Sequence, residues 1–193
     1  MQKGDYLITI LRSKKTVFSS KDIALLWQES NSSTTRIRLN YYVKKKALYQ
    51  IRKGFYAKDK NYNKLELATR IFTPAYVSFE TVLLAEGLIF QYYKDFFIAS
   101  YLSREIDIDA QKYIYRKIKD TALTNPLGIE HRHETSIATK ERAFLDILYI
   151  NKDYYFDNLH SLDWEKVFLI LPIYENDRMT KKVNQFYKQT KNN

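Results

Sequence analysis

The first sixty residues contain three helical patterns in close succession, and their spacing limits the folds that this segment can adopt. Asp5–Arg12 is predicted to form a short first helix. Ser19 and Asp22 have the spacing of a capping box, so a second helix is predicted from there to about Glu29. Polar turn residues follow, and residues 34–46 are predicted to form a third helix.

An alternating apolar segment follows the third helical pattern and reverses direction at a glycine. Residues 48–51 and Phe55–Ala57 have the period-two pattern of strands, and Arg52, Lys53 and Gly54 between them have the composition of a turn. Three helices followed by a β-hairpin predict a winged helix-turn-helix domain over residues 1–60.

The same segment carries the whole net charge of the chain. Residues 1–60 hold 14 Lys and Arg against 4 Asp and Glu, whereas the remaining 133 residues hold 18 of each. Because net charge governs association rather than fold, a cation excess confined to one small domain indicates a polyanionic partner. We therefore expect the first domain to bind double-stranded DNA.

The third helix carries the residue types that read base edges. A helix fits the DNA major groove, where side chains contact bases, while contacts to phosphate position the protein without reading sequence. The predicted base-side set is Thr34, Thr35, Arg36, Arg38, Asn40 and Tyr41. Lys44 and Lys45 are predicted to contact phosphates, and Arg52 and Lys53 to contact the minor groove or the backbone from the hairpin tip. The alternative is a solvated basic helix on a winged helix that binds protein.

A linker pattern separates the basic segment from the rest of the chain. Residues 58–64 include two Asn and no branched apolar residue, so we place the domain boundary between residues 60 and 61. Residues 61–193 mix helical and strand patterns, which predicts an α+β protein with a mixed α/β C-terminal domain. The predicted helices cover residues 65–71, 78–86, 139–149, a segment begun by Asp163, and 175–188; the predicted strands cover 96–101, 112–118 and about 127–132.

Catalytic chemistry is the least supported class of function. The chain has no cysteine, which excludes thiolate catalysis, disulfides and Cys-based zinc sites. Glu105, Asp107 and Asp109 alternate and would share one face of a strand, so a metal-dependent nucleic-acid enzyme is a third possibility. Such carboxylates more commonly form a solvated loop, and His131 with His133 lacks a third distant ligand. We predict no enzyme activity, no cofactor and no metal.

The aromatic and apolar runs of the chain are short. Residues 90–97 could stack single-stranded RNA, although a strand that enters the core is the more common explanation. Residues 6–11 lack the cleavage site of a signal peptide, and residues 167–173 are too few to span a bilayer. We expect a cytoplasmic protein with no membrane partner.

Two phrases of the second domain resemble those of a known family. Residues 71–80 read Ile-Phe-Thr-Pro-Ala-Tyr-Val-Ser-Phe-Glu and run on to Gly87, Leu88 and Ile89; residues 137–149 read Ile-Ala-Thr-Lys-Glu-Arg-Ala-Phe-Leu-Asp-Ile-Leu-Tyr. In this order behind a winged helix they resemble the AbiEi-type antitoxins of type IV toxin–antitoxin systems, over nearly the whole chain. The family usually has Pro where Lys140 stands, and Pro is a helix-start residue whose loss does not change the resemblance.

The resemblance implies a function in phage defence. Members are DNA-binding autorepressors of an operon that also encodes a nucleotidyltransferase toxin, and the C-terminal domain acts as the antitoxin, often without a stable toxin complex. For this chain it implies binding at the promoter of its own operon, and we expect inverted repeats there. The rival expectation is an antitoxin that binds and masks its toxin directly, with DNA binding secondary.

Overall fold

The computed structural model describes residues 5–192, and its first part consists of three helices and a small antiparallel sheet. In chain order the elements are α1 (Asp5–Arg12), β1 (Val17–Ser19), α2 (Ser20–Leu26), α3 (Ser32–Lys44), β2 (Tyr49–Arg52) and β3 (Phe55–Ala57). The strands are arranged β1-β3-β2, with β3 antiparallel to both neighbours. The third helix therefore begins and ends two residues before the predicted bounds.

Local capping explains where these helices begin. Ser19 Oγ accepts from the backbone N–H of Asp22, and the Asp22 carboxylate accepts from the backbone N–H of Ser19, which completes the predicted capping box. Asn31 caps α3 through bonds that its side chain accepts from the backbone N–H groups of Ser33 and Thr34. The second helix ends at Leu26 rather than Glu29 because Gln28 adopts a left-handed conformation with φ of 52°.

The second part of the chain forms a six-stranded mixed sheet with helices, in agreement with the α+β prediction. The elements are α4 (Lys64–Ile71), β4 (Ala75–Val77), α5 (Phe79–Ala85), β5 (Phe96–Ser100), β6 (Arg104–Ile108), β7 (Gln111–Lys117), α6 (Asp120–Leu123), β8 (Ile129–Arg132), β9 (Thr135–Ala138), α7 (Lys140–Ile150), α8 (Trp164–Ile170), a 3-10 turn (Leu171–Tyr174) and α9 (Asp177–Asn192). The strand order is β6-β7-β5-β4-β9-β8. The β5/β7 and β4/β9 pairs are parallel, and the other pairs are antiparallel.

Both faces of the sheet are buried at its central strand β5. On β5, Phe97 and Ala99 pack into a core with α5, α7, α8 and α9, whereas Ile98 points to a second core on the other face. That second core includes Leu67 of α4 and also Val17 of β1. It therefore joins residues from both sides of the predicted domain boundary, while the six residues between β3 and α4 provide the chain connection.

A buried polar network lies beneath the first face of the sheet. Arg142 of α7 pairs with Asp146, with 3.4 Å between Nε and Oδ1, and both side chains are fully buried. Tyr76, Ser78 and Tyr174 donate their hydroxyls to this carboxylate at 3.0, 2.7 and 2.6 Å. The guanidinium also donates to two backbone carbonyls, those of Leu127 and Ala122. The network joins the two phrases that carry the family resemblance, because each phrase supplies two of its members.

The sequence predictions for this region were right about the caps of α7 and α8 and wrong about some strands. Helix α6 was not predicted, and α9 begins at Asp177 rather than at about residue 175. Thr139 and Asp163 cap α7 and α8 as expected, and Gly87 follows α5 with φ of 71°. Strands β4, β6 and β9 were not predicted, and β6 contradicts the solvated loop expected around Glu105 and Asp107. These strands have three to five residues, too few for a clear period. Among the helices of residues 5–192, none has both the length and the apolar character needed to cross a bilayer.

We expect Asp146→Ala to lower the free energy of unfolding by about 3–5 kcal/mol, because the change leaves the Arg142 charge buried without its partner. The measurement is urea unfolding followed by circular dichroism. Asp153→Ala is the matched control, because the Asp153 side chain is 75% exposed. The control should change stability by no more than about 0.5 kcal/mol. Equal effects of the two substitutions would show that the network does not stabilise the fold.

Candidate nucleic-acid interface

Helix α3 buries one face and exposes the other. Leu39 is buried in a core with Phe18, Ile23 and Trp27, and Thr35 one turn earlier is buried as well. Beyond the first turn of α3, the exposed residues recur at helical spacing and are Arg36, Ile37, Asn40, Tyr41 and Lys44. Three of these five, Arg36, Asn40 and Tyr41, belong to the predicted base-side set. Because the opposite face of α3 is buried, their side chains point toward solvent.

A groove of about 570 Å³ lies between α2, α3 and the β2–β3 hairpin. Four predicted residues line it together: Thr35, Arg36, Asn40 and Lys53. The hairpin turn is fixed to the start of α2, because the Ser20 backbone N–H donates to the Gly54 carbonyl at 2.9 Å. The relative position of the three walls is thus set by backbone contact as well as by packing.

The charge of the groove is uniformly positive. Lys21, Arg36 and Lys53 line it from three different elements, and none of its described lining residues is acidic. Within residues 5–192 these three cations make no ion pair. An uncompensated cluster of this kind attracts anions, and a concave surface strengthens the local potential.

The lining residues that the sequence did not predict include Lys21 and Gln50. Lys21 lies at the start of α2 and Gln50 lies in the middle of β2. Both are exposed, and their only sequence signal is a polar residue type next to a capping box or within a strand. Their membership of the groove depends on how α2 and the hairpin pack against α3, which no local pattern encodes.

Arg38 is engaged within the protein. Its guanidinium pairs with Glu29 at 2.9 Å and lies 4.2 Å from the centre of the Tyr6 ring. These contacts connect α3 with α1 and with the middle of the α2–α3 connection. Arg38 does not line the groove, in contrast to Arg36.

The two basic residues of the hairpin tip also separate. Lys53 lines the groove with α3, whereas Arg52 lines a different cleft, of about 480 Å³, with Asp107 and Asp109. Among the other predicted residues, Tyr41, Lys44 and Lys45 are exposed outside the groove and Thr34 is half-buried. The predicted residues thus fall into groups: some line the groove, others are exposed along α3 beside it, and Arg38 and Arg52 face other parts of the chain.

Two of the carboxylates that the sequence suggested as metal ligands have separate partners and do not form a common site. Glu105 forms an ion pair with Lys112 at 2.7 Å, and Asp109 lies in the β6–β7 turn and accepts from Tyr49 and Tyr62. Within residues 5–192 no three His, Asp or Glu side chains are arranged to hold a metal ion.

Comparison of the chain with models of known protein families found no matching family, and comparison with curated proteins found no match. The function proposed below therefore depends on the groove and on the two sequence phrases.

The stability that the capping box of α2 contributes depends on pH through the carboxyl group of Asp22. Burial opposes ionisation of Asp22, but the hydrogen bonds from Ser19 and the charges of Lys15 and Arg70 outweigh it, so the pKa of Asp22 lies below its usual value. A lowered pKa contributes stability above the unfolded value, and that contribution is lost as pH falls through the folded value.

We therefore expect Asp22→Asn to destabilise the protein near pH 7 and to have a diminishing effect below about pH 4. Urea unfolding of the wild type and the variant between pH 3 and pH 7 measures the difference directly. A difference that stayed constant over this range would contradict the assigned cause.

Proposed function

We propose that this chain is a DNA-binding transcriptional repressor whose first sixty residues act as a winged helix-turn-helix, with α3 as the helix that reads the major groove. The supporting observation is the groove in which Arg36 and Asn40 of α3 share one surface with Lys53 of the hairpin. Arg and Asn are the side chains that pair with guanine and adenine edges, and Lys is suited to phosphate.

The distribution of charge favours duplex DNA over an acidic protein surface. The cations of the groove continue along the exposed side of α3 to Lys44 and Lys45, so the positive surface is elongated. A duplex presents regularly spaced phosphates along such a path, and each neutralised phosphate releases counterions. Arg38 has a supporting role in this account, because its ion pair with Glu29 fixes α3 against its neighbours.

We propose further that the repressor is the antitoxin of a toxin–antitoxin operon whose toxin is a nucleotidyltransferase. The support is the resemblance of residues 71–89 and 137–149 to AbiEi-type antitoxins. The buried bonds between Tyr76, Arg142 and Asp146 show that the two phrases belong to one packed unit. The antitoxin role would lie in residues 61–193, and the chain would act from the cytoplasm. This account assigns no catalytic step to the chain.

Direct masking of the toxin is a second candidate, and one surface favours it. A groove of about 440 Å³ beside strand β8, at the edge of the sheet, is lined by Leu127 and Leu169, and Leu169 is 64% exposed. Exposed apolar side chains rimmed by charged residues are typical of protein-binding surfaces. Co-purification of the chain with the product of a neighbouring nucleotidyltransferase gene would favour masking, and Leu169→Asp should then abolish the complex.

The DNA proposal makes a specific prediction for two basic residues of α3. Arg36→Ala should weaken binding to promoter DNA by about 1–3 kcal/mol and relax sequence preference, since a base contact is lost. Lys45→Ala should weaken binding to all duplexes alike and reduce the slope of log K against log salt by about 1. Fluorescence anisotropy with promoter and scrambled duplexes at several salt concentrations measures both effects.

Lys152→Ala is the control for charge alone, because Lys152 is an exposed cation of the second part of the chain. It should leave affinity and salt slope unchanged. Equal affinity of the wild type for promoter and scrambled duplex would refute sequence-specific repression, and equal effects of Arg36→Ala on both duplexes would remove Arg36 from base recognition.

A further inference from the structure

Two tight turns of the six-stranded sheet adopt an unusual conformation without glycine. Asp109 and Ala110 connect β6 to β7 with φ of 49° and 59°, and His133 and Glu134 connect β8 to β9 with φ of 46° and 64°. Left-handed backbone is unfavourable for residues with a Cβ atom, and such turns usually contain Gly. Strained positions of this kind persist when surrounding contacts hold them, and they are a reason to search for function.

Each of these turns brings a carboxylate into contact with the basic part of the chain (residues 5–60) or with residues that link this part to the sheet. Asp109 accepts from the Tyr49 hydroxyl at 2.8 Å and from the Tyr62 hydroxyl at 2.7 Å, one bond to each carboxylate oxygen. Tyr49 lies on β2 of the hairpin, and Tyr62 lies between β3 and α4. The bond to Asp109 raises the pKa of Tyr49, and burial with the same carboxylate raises that of Tyr62, so both hydroxyls remain donors.

The other turn acts through an arginine. Glu134 pairs with Arg70 of α4 at 3.3 Å, and Arg70 also contacts Asp22 of the α2 capping box at 3.5 Å. Arg70 forms a third ion pair, at 3.0 Å, with Glu66, which is almost fully buried. Glu66 in turn accepts from the backbone N–H and the hydroxyl of Thr16, at 2.9 and 2.6 Å. The start of α2 is thus connected to the β8–β9 turn.

The two turns lie at opposite corners of the sheet. The β6–β7 and β8–β9 pairs form its two edges. Because β7 is parallel to β5, β5 is antiparallel to β4, and β4 is parallel to β9, the starts of β7 and β9 also lie at opposite ends. The basic part of the chain packs across the face between these corners through Val17, Ile51 and Ala57.

We propose that Asp109 and Glu134 are positioning residues for the nucleic-acid interface, and this proposal rests on the DNA-binding function proposed above. Asp109 holds the hairpin that carries Lys53, and Glu134 holds, through Arg70, the start of the helix that carries Lys21. The two walls that flank α3 are therefore kept in place by the second part of the chain. A groove whose walls are already held in place loses less conformational entropy when DNA binds. Removal of either contact should therefore weaken binding although no DNA contact is removed.

The test compares matched substitutions in the full-length chain. Asp109→Asn is compared with Asp107→Asn. The control removes one negative charge from the same β6–β7 hairpin but does not change a hydrogen bond to β2. Glu134→Gln is compared with Glu130→Gln, since Glu130 pairs with Arg132 on its own strand. We expect Asp109→Asn and Glu134→Gln to raise the dissociation constant for promoter DNA by about threefold to thirtyfold relative to their controls.

Three further readouts separate positioning from loss of a DNA contact or of stability. The slope of log K against log salt should stay at the wild-type value, because no phosphate contact is removed. Tyr49→Phe and Asp109→Asn should be non-additive in a double-mutant cycle, since both change the same hydrogen bond. In the protein without DNA, amide hydrogen exchange in β2 and β3 should be faster for Asp109→Asn than for Asp107→Asn. Exchange in α7 should be the same in both variants.

The outcomes distinguish this proposal from the function on which it rests. If the wild type binds promoter DNA specifically and both variants match their controls in affinity and exchange, the positioning role is overturned and the DNA-binding function stands. If the wild type shows no preference for promoter DNA, the proposed function and the positioning role both fail.

Discussion

The arrangement of this molecule depends on the need to cover both faces of one sheet. Strand β5 has apolar residues on both sides, with Phe97 facing the helices of the second part and Ile98 facing the first part. The burial of an apolar side chain stabilises a fold by about 1.5–3 kcal/mol, so neither face can be left to solvent without a large loss. Helix α4 covers part of the second face, and the basic part of the chain covers the rest.

This covering role gives the basic part a fixed orientation. Its own core around Trp27 and Leu39 holds α3 against α1 and α2, while Val17, Ile51 and Ala57 point to the sheet. The exposed face of α3 and the inner side of the hairpin are then directed away from the sheet, where they form a positive groove. Under the proposed DNA-binding function, this fixed orientation presents the basic surface to the duplex.

The sequence predicted local features well because they depend on neighbouring residues. The capping box at Ser19 and the caps at Thr139 and Asp163 follow from hydrogen-bonding geometry within one helical turn, and these helices begin where they were expected. The burial of Leu39 and the exposure of Arg36 follow from helical periodicity in the same way. Short strands such as β4 are defined by their partners, so their three residues carry no signal of their own.

The parts of the interface that escaped prediction depend on long-range contacts. Arg38 has the residue type and position of a base reader, yet Glu29 and the Tyr6 ring engage it. Arg52 and Lys53 are adjacent in sequence but line different clefts, since Arg52 faces the β6–β7 pair of the larger sheet and Lys53 faces α3. The buried network of Arg142 and Asp146 joins residues that are far apart in sequence from Tyr76, and no spacing rule identifies it.

The central claim is that the exposed face of α3 lies against bases in the complex with DNA, and site-directed photo-crosslinking tests it most directly. A photoreactive phenylalanine analogue in place of Ile37, which is 70% exposed on that face, should crosslink to the bases of promoter DNA. The same analogue in place of Tyr155, which is 78% exposed in the second part of the chain, should give no crosslink. Crosslinking from position 155 and none from position 37 would contradict the account.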